Sequence, residues 1–318
     1  MKYFSCLLII GLIGLGCHTN IDEFIPYPVV PNAGERFVGD FFTTATAPAT
    51  VYALNLDADE LIETPRGTQI ELAAGTLLLS DGTPATGSAE LLVEELPQLG
   101  DRIRYRRVSV DETGALISAD GQISLRFRQN GTALQVADAA TFTLRLMDGN
   151  PVTPEPRVFE AAAITWPDGT RLSGWQPAPD VAAQYQFWET PMGEYEGFQL
   201  TPRAAGWWQV GDYVDPDLPR TTLCAAFEPS YAAENTVVFV LFPELRAVVE
   251  LYDTDDDGIF CLENMPVGQA VDYLAIAEKA DDTYELAQFT STTVADQRVD
   301  LVPVPKSLNG ILDLLDQY

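Results

Sequence analysis

The sequence predicts an all-β protein: two β-sandwich domains joined by a tryptophan-rich connector, with a short C-terminal helix. Three observations predict it. Apolar residues alternate with polar ones in short runs, as at Ile123, Leu125 and Phe127, which is the period of a half-buried strand. Turn pairs such as Thr113-Gly114, Asp120-Gly121, Asn130-Gly131 and Asp148-Gly149 separate these runs at the spacing of a sandwich. Helical spacing is confined to the end of the chain, where Leu308, Ile311, Leu312 and Leu315 define residues 304–318 as a closing helix.

Composition narrows the function. The chain has 318 residues, 47% of them hydrophobic, enough to bury proper cores. It carries 47 acidic residues against 18 basic ones, for a net charge of −29, and only three lysines: Lys2, Lys279 and Lys306. Such a surface repels phosphate backbones, so nucleic acid is excluded as a partner. The single histidine is His18, outside any folded domain. Its position removes Ser-His-Asp, Cys-His and histidine-zinc chemistry together and points to a protein that is not an enzyme.

The N-terminus gives an address. Lys2 is followed by the apolar run Leu7 to Leu15, then small Gly16, Cys17 and polar residues from His18 onward. The run is too short for a membrane-spanning helix, which needs roughly 20 apolar residues, and suits a signal peptide of residues 1–16. The pattern resembles a lipobox, which implies cleavage before Cys17 and lipidation of its thiol, a palmitate-bearing membrane anchor. Gly14 and Leu15 depart from the usual order of a large and then a small residue. Residues 17–47 then read as a lipidated tether, kept extended by Pro26, Pro28 and Pro31. Asp22 and Glu23, close behind Cys17, resemble the signal that sends Bacteroidota lipoproteins to the outer face of the outer membrane.

Residues 48–150 are the first predicted sandwich. Thr68–Leu72, Ala89–Val93, Ile103–Val110, Gln122–Arg128 and Thr141–Met147 read as strands. The stretch Gly67-Thr68-Gln69-Ile70-Glu71-Leu72, the turn Asp81-Gly82-Thr83-Pro84 and the run Leu116 to Ile123 resemble the N-terminal β domain of Bacteroidota surface lipoproteins. That domain is in turn similar to β modules of the ankyrin and netrin-receptor type.

Residues 151–215 hold all five tryptophans, Trp166, Trp175, Trp188, Trp207 and Trp208, among repeated prolines and glycines. They read as a connector with one strand around Tyr185–Trp188. Trp188, Trp207 and Trp208 are either interface anchors or a sugar-stacking platform for a glycan. Glu189, Glu194 and Glu196 sit beside them, the residue type a glycan-active enzyme would need.

Residues 216–303 read as a second, smaller sandwich with strands at Thr236–Phe242, Ala247–Tyr252, Ile259–Leu262 and Val271–Ala277. The order of strand, Thr-Asp-rich turn, Phe260, Met265-Pro266-Val267-Gly268 and apolar strand resembles the carboxypeptidase-regulatory, transthyretin-like sandwich. With Cys6 in the signal and Cys17 lipidated, Cys224 and Cys261 remain as a pair in an oxidising compartment and are predicted to form a disulfide. Asp253-Thr254-Asp255-Asp256-Asp257-Gly258 has the Asp-x-Asp-x-Asp-Gly spacing of a calcium loop. Asp253, Asp255, Asp257 and the carbonyl of Ile259 are its candidate ligands, although Asn264 stands where a bidentate glutamate is usual. A solvated β-turn explains the same residues.

The function these readings predict is a lipid-anchored, non-catalytic surface protein for binding, adhesion or structural support. An accessory subunit of an outer-membrane transport or secretion complex is the second reading, and a carboxylate-dependent glycan-active enzyme the third.

Overall fold

The computed structural model describes residues 39–138, 140–147, 156–165, 171–252, 258–280 and 283–318, and the counts below are of these residues. Strands dominate, and they form two sandwiches.

In the first sandwich the larger sheet runs in the order Thr50–Asn55, Ser88–Glu95, Ile117–Gln129, Gly206–Tyr213, Arg157–Thr165, Arg171–Pro177, Arg107–Asp111. Its partner sheet runs Gln184–Thr190, Gly193–Leu200, Thr143–Met147, Gln69–Leu72, Glu60–Glu63. The alternation seen in sequence fixes which residues face inward. Leu91 and Val93, Ile123 to Phe127 at every second position, and Trp208 and Val210 meet Ile70, Leu72, Leu144, Leu146, Phe198 and Leu200 in one core. The larger sheet also curls back on itself. Arg107–Asp111 pairs in parallel with Arg171–Pro177 and bridges Val110 to Leu116, enclosing Ile117, Phe159 and Trp175 on the other face.

Residues 151–215 are therefore not a connector. Four strands between Arg157 and Leu200, and a fifth at Gly206–Tyr213, are divided between the two sheets of the first sandwich. Pro191 and Gly193 stand at the turn of the hairpin Gln184–Leu200 and Gly206 opens a strand, while Gly174, Gly197 and Gly211 lie inside strands, each held in its ladder by a partner.

The second sandwich packs the sheet Ile259–Pro266, Arg220–Ala226, Gln297–Asp300 on the sheet Ala247–Leu251, Thr236–Phe242, Ala270–Ala280, Thr283–Thr292, Val304–Lys306. Every residue of Thr236–Phe242 and of Ala247–Leu251 is buried. Such continuously apolar runs belong to strands covered on both faces. On one face Val238, Val240, Phe242 and Val249 meet Leu223, Phe260, Leu262 and Met265, together with Val108 and Val110 from the first sandwich. On the other, Val237, Phe239, Leu241 and Leu274 lie beneath three short helices: α1 (Gly39–Ala45), α2 (Leu99–Arg104) and α3 (Leu308–Leu315).

That helical layer corrects two further expectations. The tether was expected to run to residue 47, but residues 39–45 form α1, which buries Phe41 and Ala45 on the sheet. Ile103–Val110 was expected to be one strand. Instead Leu99 and Ile103, one helical turn apart, face the same core, Asp101 and Arg104 sit at the ends that suit the helix dipole, and the strand starts only at Arg107. Arg106 makes the corner between them with a φ of 49°. Its guanidinium takes both oxygens of the buried Glu250 carboxylate, with Nε to Oε2 at 2.7 Å.

The C-terminal helix follows its predicted spacing but is shorter than the expected 304–318: it spans Leu308–Leu315, and Val304–Lys306 is an edge strand. Ser307 caps it by accepting from the Gly310 amide at 3.1 Å, and Ile311 and Leu315 are fully buried. Cys224 and Cys261 are register partners on neighbouring strands, Cα atoms 4.2 Å apart, and are joined by a disulfide that closes a loop of 37 residues.

Candidate functional site

Two surfaces of the first sandwich carry chemistry: a cleft at its junction with the helical layer, and the sheet edge formed by the hairpin Gln184–Leu200, where the Gln69 side chain donates to the Glu189 carbonyl at 3.3 Å.

Glu95 anchors the cleft. Its strand Ser88–Glu95 turns Ala89, Leu91 and Val93 inward, so the period of two carries Glu95 to the same face at the mouth of the sandwich. The Thr68 hydroxyl donates to its Oε1 at 2.5 Å. Partial burial raises the Glu95 pKa above the usual glutamate value; the Thr68 hydrogen bond and Arg66 oppose that shift. The Tyr52 phenol is raised as well, first by burial and then by the Glu95 charge. Beside Glu95 lies a cleft of about 390 Å³, lined by Arg66, Gln98 and Gln122, by Arg246 beyond the turn Pro243–Leu245, and by Gln317 and Tyr318. Leu146 and Met147 supply its apolar wall. Among the described residues, no group of three or more His, Cys, Asp or Glu side chains is placed to hold a metal ion.

The edge has a different character. Gln184–Thr190 pairs along all seven residues with Gly193–Leu200 and with no bulge, and no described strand pairs with its other side. Phe187 is 74% exposed, and Met192 in the turn is 53% exposed. The Tyr185 ring meets Phe187 edge-on at 5.9 Å and the core residue Phe198 at 5.4 Å, which ties Phe187 to the sandwich. The register pairs Phe187 with Glu196 and Glu189 with Glu194, so three carboxylates share the face of the exposed ring. No Lys or Arg occurs from Gln184 to Leu200.

The residues singled out from sequence are scattered. Trp188 is buried and donates to the Gly67 carbonyl at 2.9 Å. Trp208 is buried in the sandwich core and donates to the Ala204 carbonyl at 3.2 Å. Trp207, its neighbour on the same strand, projects from the opposite face, as alternation requires. There it stacks edge-on with Tyr105 at 5.8 Å and lies under the Arg107 guanidinium at 4.3 Å. Burial lowers the pKa of Arg107 to about 10. The three indoles thus share no surface, and two of the three spend their ring N–H on backbone carbonyls. Cys17 and the calcium-loop residues Asp253, Asp255 and Asp257 lie outside the described residues, while Ile259 opens the strand Ile259–Pro266. Sequence reasoning missed Glu95, Arg66 and Phe187. The period of two in Ser88–Glu95 was the signal for the first; Arg66 and Phe187 carried none.

Comparison with protein-family models and with curated proteins finds no match.

Proposed function

We propose that this chain is a lipid-anchored cell-surface lipoprotein of the outer membrane, acting without catalysis as a binding, adhesion or structural accessory protein. The observation that carries the reading is Cys17, set behind a short apolar run and a glycine and ahead of a polar, proline-rich stretch. The Cys224–Cys261 disulfide supports it, because such bridges persist in oxidising compartments and this one leaves Cys17 without a thiol partner once Cys6 is cleaved away. Diacylglycerol and a further acyl chain, at ~0.8 kcal/mol per buried methylene, make such an anchor firm.

The test is metabolic labelling with palmitate together with protease treatment of intact cells. Label on the wild type, none on Cys17→Ala, and digestion from outside are the expected results. Label retained by Cys17→Ala, or a wild type found soluble in the periplasm, would overturn the reading. Recovery with a large β-barrel after crosslinking would direct it toward an accessory role in a transport or secretion complex.

A further inference from the structure

We propose that the cleft beside Glu95 binds an acidic sugar, a hexuronate, and that the Arg66 guanidinium takes its carboxylate. The proposal deepens the reading of the chain as a binding protein and does not depend on its lipid anchor.

The argument starts from Arg66, on the rim of the cleft. Six other arginines of this acid-rich chain, Arg104, Arg106, Arg126, Arg128, Arg145 and Arg157, each pair with an aspartate or glutamate. Arg66 is exposed and makes no hydrogen bond or ion pair with a described residue, although its charge is felt at both Glu95 and Asp101. The turn that carries it is nevertheless fixed from several sides. The Thr64 amide donates to the Thr68 carbonyl and the Gly67 amide to the Thr64 carbonyl, both at 2.9 Å. Trp188 donates to the Gly67 carbonyl at 2.9 Å. Gly67 has a φ of 92°, and the Tyr195 ring packs so near that a Cβ there would lie 2.3 Å from it. An arginine left unpaired on a turn held this firmly is preorganised, so a ligand need order little backbone to bind it.

The cleft then selects the ligand. Its volume of about 390 Å³ is at the small end of ligand sites, the scale of a sugar residue. Gln98, Gln122 and Gln317 line it, and amides both donate to and accept from hydroxyls. Gln122 is 1% exposed and its Nε2 donates to Gln209 at 2.5 Å, which leaves its Oε1 a buried acceptor that a hydroxyl would satisfy. Leu146 and Met147 offer an apolar wall to the C–H face of a sugar ring. A carboxylate completes the set, because a planar guanidinium matches it with two parallel hydrogen bonds. A phosphate ester fits less well, since its second charge would stand against Glu95, Asp101 and a chain of net charge −29. One negative charge and several hydroxyls describe a hexuronate.

The experiment is calorimetric titration of the full chain in detergent with trisaccharides of galacturonate, glucuronate and mannuronate. Each is tested beside its methyl ester, which keeps the hydroxyls and loses the charge. At least one acid should bind saturably, at least tenfold more tightly than its ester. Arg66→Gln should erase that preference, and Gln122→Leu should weaken acid and ester alike. Arg66→Gln alters an exposed turn and carries the test alone if Gln122→Leu does not fold. No saturable binding by any of the three acids, an ester bound as tightly as its acid, or a preference kept by Arg66→Gln would overturn the proposal. So would Arg66-dependent binding of an acidic hexapeptide with no binding of the sugars. The Cys17→Ala chain should bind the acid as wild type does, and failure of every sugar leaves palmitate labelling unchanged, so the site and the anchor fail separately.

Discussion

Replacing Gly100 by alanine tests the closest backbone approach to a glycine among the described residues. Gly100 lies in α2 where that helix crosses α3, and a Cβ built there would sit 1.8 Å from the Leu315 carbonyl oxygen and 2.6 Å from its carbon. Backbone cannot swing aside as a side chain can, so α3 must retreat by about 1.5–2 Å to restore ordinary contact. Overpacking of this kind costs about 1–3 kcal/mol. The displacement also pulls at Ile311 and Leu315, both fully buried, each of whose burial is worth ~1.5–3 kcal/mol. It strains the Leu99 amide bond to the Tyr318 carbonyl at 3.1 Å and the Arg104 bond to the Leu312 carbonyl at 2.8 Å. Against this, alanine gains about 1 kcal/mol of helix propensity over glycine. The net loss should be about 2–4 kcal/mol, read as a lower urea midpoint by circular dichroism. Gly310→Ala is the control. It sits in α3, but its nearest neighbour is a side-chain carbon of Lys306 at 2.8 Å and not backbone, so the change should stay within ~1 kcal/mol of wild type. A Gly100→Ala protein as resistant to urea as wild type would refute the close-crossing argument.

Other expectations follow from the same structure. Opening the Cys224–Cys261 bridge, by reduction or by a Cys224→Ala/Cys261→Ala double variant, frees a loop of 37 residues and should lower stability by about 3–4 kcal/mol in denaturant titration. Glu95 has a raised pKa in the folded state, so its contribution to stability is present below the ordinary glutamate value and lost as pH rises through the folded value. Glu95→Gln should therefore match wild type near about pH 4 and exceed it near about pH 8; a variant less stable at the higher pH would contradict the assignment. For Asp253–Ile259, calorimetric titration separates the two readings: heat abolished by an Asp255→Asn/Asp257→Asn double variant supports calcium, and no heat at millimolar ion supports the solvated turn.

The fold class, the C-terminal helix and the cysteine pairing were legible because each rests on a local or countable feature. Ile123, Leu125 and Phe127 can satisfy a period of two only as a strand with one buried face, and Leu308 to Leu315 only as an amphipathic turn of helix. With Cys6 and Cys17 set aside, the two remaining cysteines have one pairing open to them. Thr236–Phe242 was readable as a strand from its β-branched run, but sequence could not say what covered its second face.

Tertiary structure decided the rest. The segment holding the tryptophans became strands of both sheets because long-range pairing satisfied its backbone despite its prolines and glycines, and Trp207 and Trp208 separated because neighbouring residues on a strand face opposite ways. Leu99 and Ile103 became helix because the outer face of the sheet containing Thr236–Phe242 needed cover, a demand set by Val237, Phe239 and Leu241 more than a hundred residues away. The exposure of Phe187 and the convergence of Arg66, Glu95 and Arg246 on one cleft depend on which strand ends at an edge and which ends at a junction. Residue type and local period determine what an element is; only the order of strands in the sheets determines where it ends up and what it can meet.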